Sequence, residues 1–222
     1  YRSWSERNQS LSSEISKITE EINVQQQGYN RYLQQANSVG LSSDWISKIQ
    51  NGHINIETIA DENLADKVSE YQDWYKKALD CRDAIEELKE TESELYEQAF
   101  DHISTMFDGI VGQLEHFRNM MEGYVDQTET AGYIISQQYY SALIDNEQDT
   151  LEKLNEERSQ LVASLNNAVN SGAIAKESEA WYSMWEDINS VDEAIQDSTT
   201  SLIEFKNEMR QIEWDIFDLF QD

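Results

Sequence analysis

The sequence predicts an all-α chain: an elongated rod of long antiparallel helical hairpins with coiled-coil packing, in two divergent repeats. Three observations predict it. Proline is absent and only 8 glycines occur in 222 residues, so the usual helix breakers are nearly lacking. Apolar residues recur over long stretches at alternating steps of three and four, which is how a helix buries a narrow seam. With 27% of residues charged and few large aliphatic side chains, the composition suits a thin rod with much surface for its volume. Sustained heptads and 6 tryptophans argue against disorder, the competing reading of so polar a chain.

The first helix is expected from about Ser3 to Ser38. Trp4, Leu11, Ile18 and Tyr32 form one row, interrupted by Gln25, and Ile15, Ile22, Tyr29 and Ala36 form the other. Gly28 lies inside it, at a cost of ~1 kcal/mol against Ala, and marks a kink or a close helix approach. Gly40 ends it. In the connector 41–61, LSSDWISKIQ reads as a short helix capped by Ser42 or Ser43, followed by an Asn51-Gly52 turn. Ile54, Ile56 and Ile59 are then available to plug the end of a hairpin, and Asp61 caps the next helix.

That helix, Glu62 to Tyr124, is the longest. Tyr71, Ala78, Ile85 and Ala99 share one row with Glu92, and Trp74, Cys81, Leu88 and Leu95 fill the other. At ~1.5 Å per residue it would run roughly 90 Å. Past Ala99 the row shifts to Ile103, Met106, Ile110, Leu114, Phe117, Met121 and Tyr124, and Gly109 and Gly112 invite a bend. The helix is expected to end near Gly123, before the polar stretch 126–132.

A third helix starts at Ser136, with Ile135 and Tyr140 placed as a hydrophobic staple, and runs to about Asn170 before Ser171-Gly172 closes it. Its seam is Tyr140, Ile144, Leu151, Leu154, Leu161, Leu165 and Ala168. Glu147 and Arg158 occupy two further seam positions, where polar residues often fix register or partner number. The last helix, about Ser178 to Phe220, carries the strongest heptad. Trp181, Ile188, Ile195, Leu202, Met209 and Ile216 form one row; Met184, Val191, Phe205, Ile212 and Leu219 form the other, with Ser198 the exception. The two halves align: Tyr71 meets Trp181, Tyr75 meets Trp185, and Ala84-Ile85 meet Ala194-Ile195. The reading is therefore a hairpin repeat over 1–100 (with its connector), a bridge over 101–131 and a second hairpin repeat over 132–222.

Net charge is −28, from 44 acidic against 16 basic residues. That argues against specific nucleic-acid binding and against an anionic membrane surface, both of which need basic patches. The bland reading of the charge is a solvated outer face; the sharper one is a wall to which DNA does not adhere. Cys81 is the single cysteine, so no intrachain disulfide is expected and a reducing compartment is the default. No apolar run approaches the ~20 residues that span a bilayer, and no signal peptide is visible. The chain begins at Tyr1 without Met, and is expected to be a fragment of something longer.

Chemistry is hard to find. His53, His102 and His116 have no ligand spacing, and the acidic run from Asp61 to Asp66 lacks the central Gly of a calcium loop. Glu-x-x-His pairs, phosphate-binding Gly-rich loops and nucleophile motifs are missing. No catalytic, cofactor-binding or metal residues are assigned, no cofactor is expected, and the protein is read as non-enzymatic. The residues singled out are helix-packing seam: Tyr71, Trp74, Ala78, Cys81, Ile85, Leu88, Leu95, Trp181, Met184, Ile188, Val191, Ile195, Leu202, Phe205, Met209, Ile212 and Ile216.

Two passages go beyond a generic coiled coil. The segment from ANSVGLSSDWISKIQNGHINIETIADENLADKVSEYQDWY to Glu90 resembles one that recurs in tail tape measure proteins of phages and prophages of Gram-positive bacteria. The segment NNAVNSGAIAKESEAWYSMWEDINSVDEAIQD and its continuation resemble another, including the SGAI turn, the SEAWY helix start and the Glu213-Trp214…Phe217-Asp218 ending. GYIISQQYYSALIDNEQ is similar too. The resemblance implies a long helical protein held in the virion tail lumen after assembly in the bacterial cytoplasm, whose length sets tail length. It also implies its partners: other tape measure chains and tail-tube or tail-assembly proteins. No catalytic residues come with it. The rival expectation is a cellular coiled-coil scaffold or interaction rod, spectrin-like, with no viral role.

Overall fold

A computed structural model describes residues 2–133 and 135–219, except for the side chains of 2 and 215–219. Among them the chain is all-α: α1 (Arg2–Ser38), α2 (Ser43–Gln50), a single 3₁₀ turn (Ile56–Thr58), α3 (Glu62–Thr130), α4 (Gln137–Ser171) and α5 (Glu179–Leu219). No strand occurs among the described residues, and none of their helices is long and apolar enough to cross a membrane. Contacts divide the chain into two units: one holds Gln9–Leu95, the other the first eight residues together with the chain from Tyr96 onward. The boundary falls inside α3.

The Gln9–Leu95 unit is a helical hairpin. α1 and the first part of α3 run antiparallel: the Thr19 hydroxyl meets Glu92 at 2.6 Å, and the Tyr32 and Trp74 rings stack at 6.0 Å. Gly28 is a point of close approach, because a Cβ built there would stand 3.2 Å from Cys81 Sγ. Of the two roles open to Gly28, close approach is the one observed. Gly28→Ala adds helix propensity worth ~1 kcal/mol but presses on that sulfur, so it is expected to be near neutral alone. In a Cys81→Ala background the full gain should appear; equal effects in both backgrounds by urea unfolding would show that the contact carries no energy.

The connector closes the hairpin's end. Ala36, Ile49, Val68 and Tyr71 are buried together, with Leu41, Trp45, Ile46, Ile54, Ile56 and Ile59 packed on them. This follows from the sequence: α2 is too short to be stable alone, so its apolar side is held by packing on α1 and α3. Asp61 Oδ1 accepts from the Leu64 amide at 3.3 Å and starts α3.

α3 then continues through Gly109, Gly112 and Gly123 to Thr130, beyond the end expected near Gly123. A glycine within a helix costs stability but does not stop it. What stops α3 is Gly132, at φ 75°, with the Tyr133 amide bonded to Thr128 O and the Gly132 amide to Glu129 O. That crossed pair needs a left-handed residue, which glycine supplies without strain. Ser136 then caps α4, its Oγ accepting from the Gln138 amide. Ile135 and Tyr140 are buried in one cluster with Leu143, Ile144, Val125 and Phe205, which gives the staple its anchor.

In the other unit the later part of α3, α4 and α5 form a three-helix bundle. α4 runs antiparallel to both neighbours. Asn146 donates to Leu114 O of α3, while Glu147 meets Ser198 and Arg158 meets Asp192 of α5. One core cluster gathers Phe100, Leu154, Leu161, Leu165, Ala168, Ile174, Met184, Ile188 and Val191. The shifted row expected past Ala99 is only partly the buried one. Phe117 and Tyr124 are exposed, whereas Phe107 and Val125 are buried. The reason is that this part of α3 faces α4 and α5 with the side that carries Phe100, Ile103, Val111, Met121 and Val125.

Candidate functional site

The seams are the most specific feature of the chain. In α3, Tyr71, Ala78, Ile85 and Leu95 are buried and Trp74, Cys81 and Leu88 half-buried. In α5, Met184, Ile188, Val191 and Phe205 are buried, and Trp181, Ile195, Leu202, Met209 and Ile212 half-buried. Ile216, with Leu219 and Phe220, lies outside the described side chains. The α3 residues belong to the hairpin unit and the α5 residues to the three-helix unit. The paired aromatics pack differently in the two: Tyr71 stacks on Tyr75 at 5.8 Å with Tyr71 buried, whereas Trp181 stacks on Trp185 at 5.7 Å with Trp185 exposed.

The polar interruptions of the seams are where geometry adds to the sequence. Glu92, which broke the α3 row, is 3% exposed and accepts from Thr19 of α1. Ser198, which broke the α5 row, donates to Glu147 Oε1 of α4 at 2.5 Å. Each hairpin thus holds a carboxylate–hydroxyl bond between its two arms. A buried polar atom left without a partner costs more than a made bond returns, so these pairs penalise slipped registers. Glu147 is wholly buried, and its Oε2 accepts no hydrogen bond from the described residues. Its charge is met by Arg118 Nη1 of α3 at 3.6 Å. Arg158 differs: it is half-exposed at the rim, with two bonds to Asp192. Such rim pairs contribute little to stability.

Sequence reasoning missed a second face of α4. Asn146, Thr150 and Glu157 are buried there beside Leu143. Thr150 is satisfied by Asn146 O at 2.9 Å. Polar residue types hid this face from a search for apolar rows; the available signal was the three- and four-residue spacing of Leu143, Asn146 and Thr150 itself. The Glu157 carboxyl is pushed up to about 7 by burial and then by Asp108 across on α3. Near the Ser136 end, burial and Glu208 raise the Tyr140 hydroxyl, and burial raises Glu122 despite Arg118. Among the described residues no three His, Cys, Asp or Glu side chains are grouped to hold a metal ion. His102 instead packs its ring on Trp4 at 4.7 Å, with Nε2 3.0 Å from Trp4 O.

No family model, curated protein or solved structure matches the chain.

Proposed function

We propose that the chain is a non-enzymatic structural module of a phage or prophage tail tape measure protein, a scaffold and length gauge for tail assembly. The observation that carries the reading is where the family-like passages fall. The segment beginning at Ala36 makes the buried closure of the first hairpin and its return arm. The SGAI passage makes the α4–α5 turn, with Gly172 at φ 79° and Ile174 buried in the core. The SEAWY passage begins α5, where Ser178 Oγ accepts from the Trp181 amide. The shared residues are thus ones that shape long hairpins, as expected of a protein whose work is mechanical. Helices advance a fixed ~1.5 Å per residue, which suits a gauge. The net charge of −28 suits a lumen through which DNA must pass. On this reading the module works in the tail lumen against further tape measure chains and tail-tube or assembly proteins, after folding in the bacterial cytoplasm.

The test is an in-frame deletion or duplication of 132–220 in the encoding gene, with tail length measured by electron microscopy. Deletion is expected to shorten tails, and duplication to lengthen them. Because the segment folds back on itself alongside α3, the change should stay below about 1.5 Å for each residue of one arm. Unchanged tails would remove the gauge role. A cellular coiled-coil scaffold is the second reading, favoured by the three-helix packing of α3, α4 and α5. Tail-tube and baseplate genes beside this one are expected only on the first.

A further inference from the structure

The three-helix unit has a groove of about 390 Å³ where α3, α4 and α5 meet. Its charged lining is entirely acidic: Asp108 and Glu115 from α3, Glu157 from α4 and Asp187 from α5. Glu157 is 2% exposed, lines the groove, and receives no hydrogen bond from the described residues. A carboxylate so deeply placed with no donor beside it is expensive, because only the water that enters the groove is left to replace its hydration. The remaining acids stand at the more exposed rim. The rest of the wall mixes Val111, Leu154, Val191 and Ala194 with Ser104 and Ser190, and Gly112 leaves open space where a side chain would stand.

We propose that this groove binds a linear polyamine, with one ammonium group on Glu157 at the floor and others along Asp108, Asp187 and Glu115. The acids share a groove without gathering three to a point, so a compact metal ion would leave most of them unmet. A polyamine distributes its charges along methylene chains, and the groove likewise combines spread carboxylates with aliphatic side chains. An ammonium beside Glu157 favours its charged form. With that carboxyl otherwise held up to about 7, binding is accompanied by proton release and strengthens as pH rises through neutrality. Asp187, raised by burial and by Asp101, Glu186 and Asp108, moves in the same direction. The inference goes beyond the tail-assembly reading and does not depend on it.

Isothermal titration of the whole chain with spermidine tests this, at about pH 8, with ionic strength held constant by sodium chloride. One saturable site is expected. Glu157→Gln should weaken it about ten-fold or more, the scale of one charge-assisted hydrogen bond. Asp187→Asn, at an exposed rim position where folding is not at stake, should weaken it less but measurably. Absence of saturation at millimolar spermidine would overturn the proposal. So would unchanged binding in both variants, which would assign the uptake to the acidic surface at large. Competition by magnesium at equal concentration would overturn it as well, by making the groove a point-ion site.

Discussion

Phe100→Ala is expected to cost about 3–5 kcal/mol, the range for truncating a buried aromatic ring. Phe100 is fully buried at the heart of the three-helix unit, in one cluster with Leu161, Leu165, Met184 and Ile188. Those partners come from α4 and α5, so collapse around the cavity would require two helices to move together. The surrounding packing makes that costly, which places the effect towards the upper part of the range. Urea unfolding followed by tryptophan fluorescence reads it, since Trp181 packs on the same cluster. Ala99→Gly, one residue away on a half-buried position, should cost no more than the ~1 kcal/mol of helix propensity. A Phe100→Ala loss below about 1 kcal/mol would mean that the cluster does not hold this unit together.

The position of Phe100 also shows what was legible in the sequence. Periodicity located the long helices because a seam buried against one partner leaves a single stripe, as in α1 and the first part of α3. From Tyr96 onward α3 serves two partners at once, and its buried side widens beyond one heptad row. A reading tied to one row then drifts, taking in Phe117 and Tyr124, which are exposed, and passing over Phe107 and Val125. A break at Gly109 and Gly112 does not occur, since α3 runs on through both: the apolar pattern changed because the neighbours changed, while the helix went on.

Polar residues marked the other limit. Glu92, Glu147 and Ser198 stood out in the sequence as interruptions, and each proves to be a buried interarm partner. Which residue would satisfy them could not be read, since Thr19 and Ser198 are hydroxyls among many in the chain. Arg158 looked equivalent to Glu147, yet it reaches the rim while Glu147 is wholly enclosed. A long side chain can carry its charge to water from a seam position, and a glutamate with Arg118 beside it need not. Glu157 gave no sign at all, because a glutamate on a charged helix is ordinarily solvent-facing.

Glu157 makes stability depend on pH in the direction opposite to a salt-bridged carboxylate. Its carboxyl titrates near 4.3 in an unfolded chain and at about 7 in the folded one. Between these values the folded state binds more proton, so stability falls as pH rises from about 4 to about 7 and is level above. The full shift would correspond to about 4 kcal/mol; because the carboxylate opens onto a groove that water can enter, about 2 kcal/mol is the better expectation. Asp108 and Glu115 on α3 and Asp187 on α5 line the same groove and add to the repulsion, and Asp187 and Glu122 are themselves raised by burial, so their contributions have the same sign. Glu157→Gln should therefore stabilise the chain by about 2 kcal/mol above neutrality and change little near pH 4, in urea titrations at both values. If wild type and variant instead lose stability in parallel as pH rises, the loss belongs to the general repulsion of a −28 chain and not to this buried group. The comparison separates the two because general repulsion is screened by salt over roughly 10 Å at 0.1 M, whereas the desolvation of Glu157 is not.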